Sequence, residues 1–161
     1  MTDAIHLDVR AALPGLVPAL RGYARALCRD AAQADDLVQE TLLRALDKAR
    51  HWQPGTELRA WLFTVLRNLW IEGHRTRRRR ETLIAAAPAR RTEGGGTAEV
   101  SDLARALERL PAAQREALIL IGGQGFSAEE AAAICGVPAA TMRARAARGR
   151  HALRRIIQPA A

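Results

Sequence analysis

The chain is poor in the residues that build disulfides, metal centres and sheets. Its 161 residues include only two cysteines, four histidines and six aromatics. Cys28 and Cys135 sit far apart in helical patterns, where a lone thiol serves as a small buried apolar group, so no disulfide is expected. His6, His51, His74 and His151 show no ligand spacing to one another or to the cysteines, so no metal site and no cofactor are expected. No apolar run approaches the roughly 20 residues that cross a bilayer, which argues against membrane insertion. The acidic Asp3 and Asp8 stand where a secretory signal would be basic. The expected location is the cytoplasm. Neither a Ser/His/Asp grouping nor paired carboxylates beside a glycine-rich loop is present, so the chain is not expected to be an enzyme.

Lysine is nearly absent as well: Lys48 stands alone against 24 arginines, within a net charge of +8. A GC-rich genome would favour Arg codons, so Arg over Lys alone decides little; where the charge falls says more. Residues 1–80 carry 14 basic and 9 acidic groups, residues 81–100 carry 2 and 3, and residues 101–161 carry 9 and 5. Two basic bodies thus flank a near-neutral joint. Fixed positive charge gains free energy by releasing counterions from a polyanion, so a nucleic acid is the expected partner. Alanine, leucine and arginine abound while aromatics are few, which favours helix over sheet. The expected fold class is all-α, two small helical domains joined by a linker.

Helical periodicity divides the chain further. Leu16, Leu20, Tyr23 and Leu27 mark a first helix, with Pro14 and Pro18 near its start and Arg29 near its end. Asp30 opens a second pattern from Ala32 to about Arg50, with an apolar stripe of Leu37, Val38, Thr41, Leu42, Ala45 and Leu46. Asp35, Asp36 and Glu40 crowd its first turns. There they interact well with the helix dipole, or they face a basic protein partner. The breaker "QPGT" precedes a third pattern, Leu58 to Trp70, which runs into five arginines, Arg75 and Arg77 to Arg80. Trp52, Trp61, Phe63 and Trp70 cluster just upstream. Basic charge beside flat apolar rings suits unpaired bases and their phosphates, and Trp52, in the breaker loop, is the ring expected to be exposed.

Residues 81–100 contain Pro88 and Gly94 to Gly96 and read as a flexible linker, spanning on the order of 25 Å. The second body starts at Ser101. Ser127 and Glu130 stand at capping-box spacing, Gly136 closes the short helix that follows, and Pro138 opens another that reaches about Ile157. Ala132, Gly136 and Met142 fall at helix-turn-helix spacing: a small residue at the crossing, a left-handed turn, an apolar anchor. A plain helical hairpin has the same outline. The last helix distinguishes the two, because Met142, Ala146, Gly149, Leu153 and Ile156 form one apolar seam. Arg143, Arg145, Arg148, Arg150, Arg154 and Arg155 accompany it without any acid.

The stretches "DDLVQETLLRALDKA", "LRAWLFTVLRNLW" and "LPAAQREALILIGGQGFSAEEAAAICGVPAATMRARAARGR" resemble, in this order and over nearly the whole chain, the two conserved regions of bacterial extracytoplasmic-function sigma factors. The third is most similar to the general-stress-response subgroup. The resemblance implies domains at 1–80 (region 2), 81–100 (linker) and 101–161 (region 4). It implies a protein that binds core RNA polymerase through its β′ coiled coil and β flap and directs it to promoter DNA, held inactive by an anti-sigma factor. By the same resemblance, Asp36, Gln39 and Glu40, with Asp35 beside them, match the polymerase-binding helix. Trp52, Asn68, Arg75, Arg77, Arg78, Arg79 and Arg80 match the −10 segment, and Thr141, Arg143, Arg145 and Arg148 match the −35 recognition helix. Two departures stand out: Arg143-Ala144-Arg145-Ala146 lacks the hydroxyl and the bulky aliphatic common in that helix, and Glu72-Gly73 replaces an Asp-bearing turn. The rival reading is a sigma-like decoy that sequesters the anti-sigma protein without binding DNA.

Overall fold

Helix follows helix along the chain: α1 (Thr2–Cys28), α2 (Ala31–Asp47), a 3-10 turn (Ala49–His51), α3 (Leu58–Glu81), α4 (Ala98–Glu108), α5 (Ala112–Leu118) continued by a π turn (Ile119–Gly123), α6 (Ala128–Cys135) and α7 (Ala139–Ile157). The computed structural model describes residues 2–52, 57–81 and 98–159, with side chains described from residue 8 to 80 and from 102 onward within those ranges. No strand occurs among the described residues. The "QPGT" breaker and most of the 81–100 linker lie outside them. The chain divides into two units, Met1–Thr92 and Glu93–Ala161.

In the first unit α1 begins well ahead of the expected start. Pro14 and Pro18 lie inside it rather than at its head. Both are exposed, while Val9 and Leu13 extend the buried stripe of Leu20, Tyr23 and Ala24 back toward the N-terminus. An interior proline costs roughly 3 kcal/mol, and burying a Val or Leu side chain returns about 1.5–3 kcal/mol each. The apolar stripe therefore holds the helix through its prolines. Arg29 takes a left-handed conformation at φ 56 and turns the chain sharply. Asp30 then caps α2, its carboxylate accepting from the backbone N–H groups of Ala32 at 2.8 Å and Gln33 at 3.2 Å.

The core between α1, α2 and α3 contains Leu20, Tyr23, Leu37, Val38, Leu62, Phe63 and Leu66, with Tyr23 and Phe63 stacked at 5.0 Å between ring centroids. Thr41 is fully buried among them, and its hydroxyl is satisfied by donating to the Leu37 carbonyl at 2.7 Å. The inward residues of α3 stop near Leu69, and residues 72 to 80 are all exposed. Yet the helix continues without a break through the arginine run to Glu81. The basic segment thus extends α3 beyond the core as continuous helix.

In the second unit α4 starts at Ala98, three residues before the expected Ser101. Ser127 caps α6, accepting from the Glu130 backbone N–H at 3.0 Å. The return bond runs from the Ser127 hydroxyl to Glu130 Oε1 at 3.2 Å, where a reciprocal capping box would use the Ser127 backbone N–H. Gly136 ends α6 at φ 67, a conformation that a side chain would strain. Pro138 then leads into α7. Ala132, Met142, Ala146 and Gly149 are buried, so the short helix and the long one cross on small side chains about a methionine anchor. Gly149 is needed for packing: a Cβ built there lies 3.1 Å from Leu118 Cγ and 3.2 Å from the Gln114 carbonyl oxygen of α5.

Candidate nucleic-acid and protein interfaces

On α2 the acids stand beyond the first turn, which holds none. The helix-dipole benefit fades within that turn, and it is Asp30, the cap, that collects it. Asp36, Gln39 and Glu40 are exposed and share one face at three- and four-residue spacing. Leu43 lies one turn further on the same face and is 69% exposed, an apolar residue beside these acids that periodicity does not single out. Asp35 stands apart from this group. Its Oδ1 lies 3.4 Å from Arg21 Nε of α1, while Glu40 Oε1 lies 3.8 Å from Arg44 Nη2 on its own helix.

The helical repeat sorts four arginines of the basic run on α3: Arg75, Arg77, Arg78 and Arg79. At 3.6 residues per turn, Asn68, Glu72, Arg75 and Arg79 lie along one side, with Arg78 flanking them, and Asn68 to Arg79 spans about 17 Å. Leu69, Trp70, Gly73, His74 and Arg77 lie along the other side. There they line a cleft of about 140 Å³ with Cys28, Gln33, Asp36 and Glu40. Arg77 Nη1 donates to the Gln33 side chain of α2, and Trp70 stacks on His74 at 5.4 Å. Arg77 is therefore turned toward the body of the unit, whereas Arg75 and Arg79 face away from the acidic surface. The structure brings Asn68 and these arginines onto one helix side and puts Asp36 and Glu40 beyond the opposite side.

Trp52 follows the 3-10 turn and is half-buried, in the same class as Trp61 and Trp70, so it is not the one exposed ring the sequence suggested. Its indole Nε1 is buried without an acceptor among the described residues. Cys28 lies in the cleft, where burial pushes its thiol up to about 11 against the opposing pull of the Arg77 guanidinium. It is an inert thiol at neutral pH.

On α7 Met142, Ala146 and Gly149 of the expected apolar seam are buried, while Leu153 and Ile156 are half-buried. Around the seam the arginines divide into two flanks. Thr141, Arg145, Arg148 and Arg155 fall on one, and Arg143, Arg150 and Arg154 fall on the other. Arg143 is exposed and forms an ion pair through Nη2 with Glu129 Oε1 of α6. The acid missing from the α7 sequence is thus supplied by its neighbour. No ion pair buries a guanidinium of either basic cluster among the described residues.

The Sigma-70 region 2 family matches residues 15–80, and the Sigma-70, region 4 family matches residues 101–153. The ECF RNA polymerase sigma factor EcfG of Rhodopseudomonas palustris (strain TIE-1) is 47% identical over 157 residues, which cover 95% of this chain and 84% of that protein. The ECF RNA polymerase sigma factor SigC of Mycobacterium tuberculosis (strain CDC 1551 / Oshkosh) is 36% identical over 129 residues, 77% of this chain and 70% of that one. Among solved structures, the co-crystal of the sigma factor RpoE with the anti-sigma factor NepR from Bartonella quintana matches with a TM-score of 0.82 at 38% identity, covering 96% of this chain and 99% of that chain.

Proposed function

This chain belongs to the extracytoplasmic-function RNA polymerase sigma factors, of the EcfG type, and from that premise we propose how its surfaces divide the work of initiation. As a sigma factor it binds core RNA polymerase and directs it to promoters. Residues 1–80 form region 2, 101–161 form region 4, and 81–100 connect them. The α2 face of Asp36, Gln39, Glu40 and Leu43 docks on the basic β′ coiled coil, with Asp35 held beside it by Arg21. Region 4 meets the β flap. The opposed sides of α3 are the observation that most supports this reading: one continuous helix offers an acidic neighbourhood to a protein and a cationic side, Asn68 to Arg79, to DNA.

Opening duplex DNA costs roughly 1.4 kcal/mol per stacked step. Extruded −10 bases regain about 1–3 kcal/mol each by stacking on an aromatic surface, which is the role assigned to the Trp52 region. Arg75, Arg78, Arg79 and Arg80 hold the adjoining phosphates, while Arg77 also ties α3 to Gln33. In region 4 the outer surface of α7 enters the major groove of the −35 element, with Thr141, Arg143, Arg145 and Arg148 at base edges and phosphates. The polymerase performs the chemistry, and the chain itself catalyses nothing. The relative from Bartonella quintana was crystallised with an anti-sigma factor, and an anti-sigma protein is accordingly proposed to hold this chain inactive in the cytoplasm until stress releases it.

Promoter-specific run-off transcription with core polymerase and this chain tests the reading. A defined transcript that depends on both components is expected. No transcript, with the anti-sigma protein still bound, would identify a decoy instead.

A further inference from the structure

We infer that Glu129, on the first helix of the helix-turn-helix, is a positioning residue for sequence discrimination: its carboxylate holds the Arg143 guanidinium at the groove-entering end of α7. The inference rests on reading α7 as the −35 recognition helix. Glu129 and Arg143 are 14 residues apart in sequence and lie on different helices, yet their side chains meet through Oε1 and Nη2. Both ends of the link are firmly mounted. Glu129 sits in the first turn of α6, which Ser127 caps, and Arg143 follows Met142, whose side chain is only 1% exposed.

Stability does not account for the pair. The two side chains are 57% and 63% exposed, and solvent leaves such a pair only a small contribution to folding. What the contact does is restrict a long, flexible side chain. A guanidinium has five N–H donors in a planar fork, so engaging Nη2 with a carboxylate leaves others for the acceptors of a base edge, with the plane already oriented. The carboxylate also repels phosphate. Glu129 therefore lowers affinity for arbitrary DNA and leaves an Arg143 contact favourable only where base acceptors meet it, which converts a general cation into a selective one.

The test uses the full chain with core polymerase, a promoter duplex selected from a randomised upstream library by the unsubstituted holoenzyme, and the single-base-pair variants of its −35 element. Glu129→Gln is expected to reduce discrimination at the base pair sensitive to Arg143→Ala by about 2- to 5-fold, the coupling an exposed pair supports. It should strengthen binding to unrelated duplex and have no effect on discrimination in the Arg143→Ala background. Glu129→Asp keeps the charge near the α6 N-terminus but shortens its reach, so it should lose discrimination as Gln does. A carboxylate serving only the helix dipole would leave discrimination intact in that variant, which overturns the inference. An equal loss from Glu129→Gln with and without Arg143 overturns it as well. If Arg143→Ala itself spares every base pair, the assignment of α7 falls and this inference with it. If Arg143→Ala is selective and Glu129→Gln is silent, only the role of Glu129 falls.

Discussion

Arg78 and Arg143 carry the same group and answer to different tests. Arg78 lies on the exposed projection of α3, flanking the Asn68 side. Arg78→Ala should weaken binding to every promoter sequence and flatten the log–log salt dependence by about one unit, the signature of a lost phosphate contact. Filter binding across a salt series reads both. Arg143→Ala should instead cost about tenfold in discrimination at one −35 base pair, the order of one bidentate base contact. Equal weakening for all −35 sequences would refute that role. Cys28 gives a chemical check on the cleft. With its thiol raised from 9.0 to about 11 by burial, alkylation near pH 8 should run about 100-fold slower than in the unfolded chain, since the thiolate is the nucleophile. The same shift sets a pH dependence. The unfolded thiol ionises near 9.0 and the folded one near 11, so its contribution to stability is complete below pH 9 and is lost as pH rises through that interval. The arginines themselves were evident from the sequence. Their partners were not: Gln33 is 44 positions from Arg77, and Glu129 is 14 from Arg143.

Two glycines separate what helices need from what packing needs. Gly73 lies in exposed α3, and a Cβ there meets nothing within 4 Å. Gly73→Ala should therefore stabilise the helix by about 0.5–1 kcal/mol, seen as a higher melting temperature by circular dichroism. Gly149 sits against α5, where the added methyl would press on the Gln114 carbonyl oxygen as well as on Leu118. Backbone cannot swing aside as a side chain does, so Gly149→Ala should destabilise the second unit by about 1–3 kcal/mol. The sequence showed Gly73 only as part of a replaced turn, and Gly149 only as a member of a seam. The prolines of α1 misled in the other direction. Proline commonly opens a helix, but here Val9 and Leu13 had enough surface to bury that the helix runs through both.

At the scale of the whole chain the surfaces act in series, and a substitution at one should not mimic a substitution at another. Asp36→Arg reverses the charge on the α2 face while leaving both basic clusters in place. Promoter-specific run-off should fall by well over tenfold, because like charges set against each other at an interface cost several kcal/mol. Retention of DNA by the chain without polymerase, measured at low salt, should be unchanged or slightly stronger. Loss of both together would mean that the α2 face is not a separate protein-docking surface.

The sequence by itself determined the helical class, the placing of the charge, the helix-turn-helix spacing and the family. Each of these is written in local chemistry: propensity, period, caps and runs of like residues lie close together along the chain. Only the tertiary structure decided where the charges point. It set Arg77 against Gln33 of α2 and left Arg75 and Arg79 on the far side of α3, half-buried Trp52, and gave Arg143 an acid from another helix. Side-chain direction depends on which helices cross and at what angle, and that is a property of packing between distant segments.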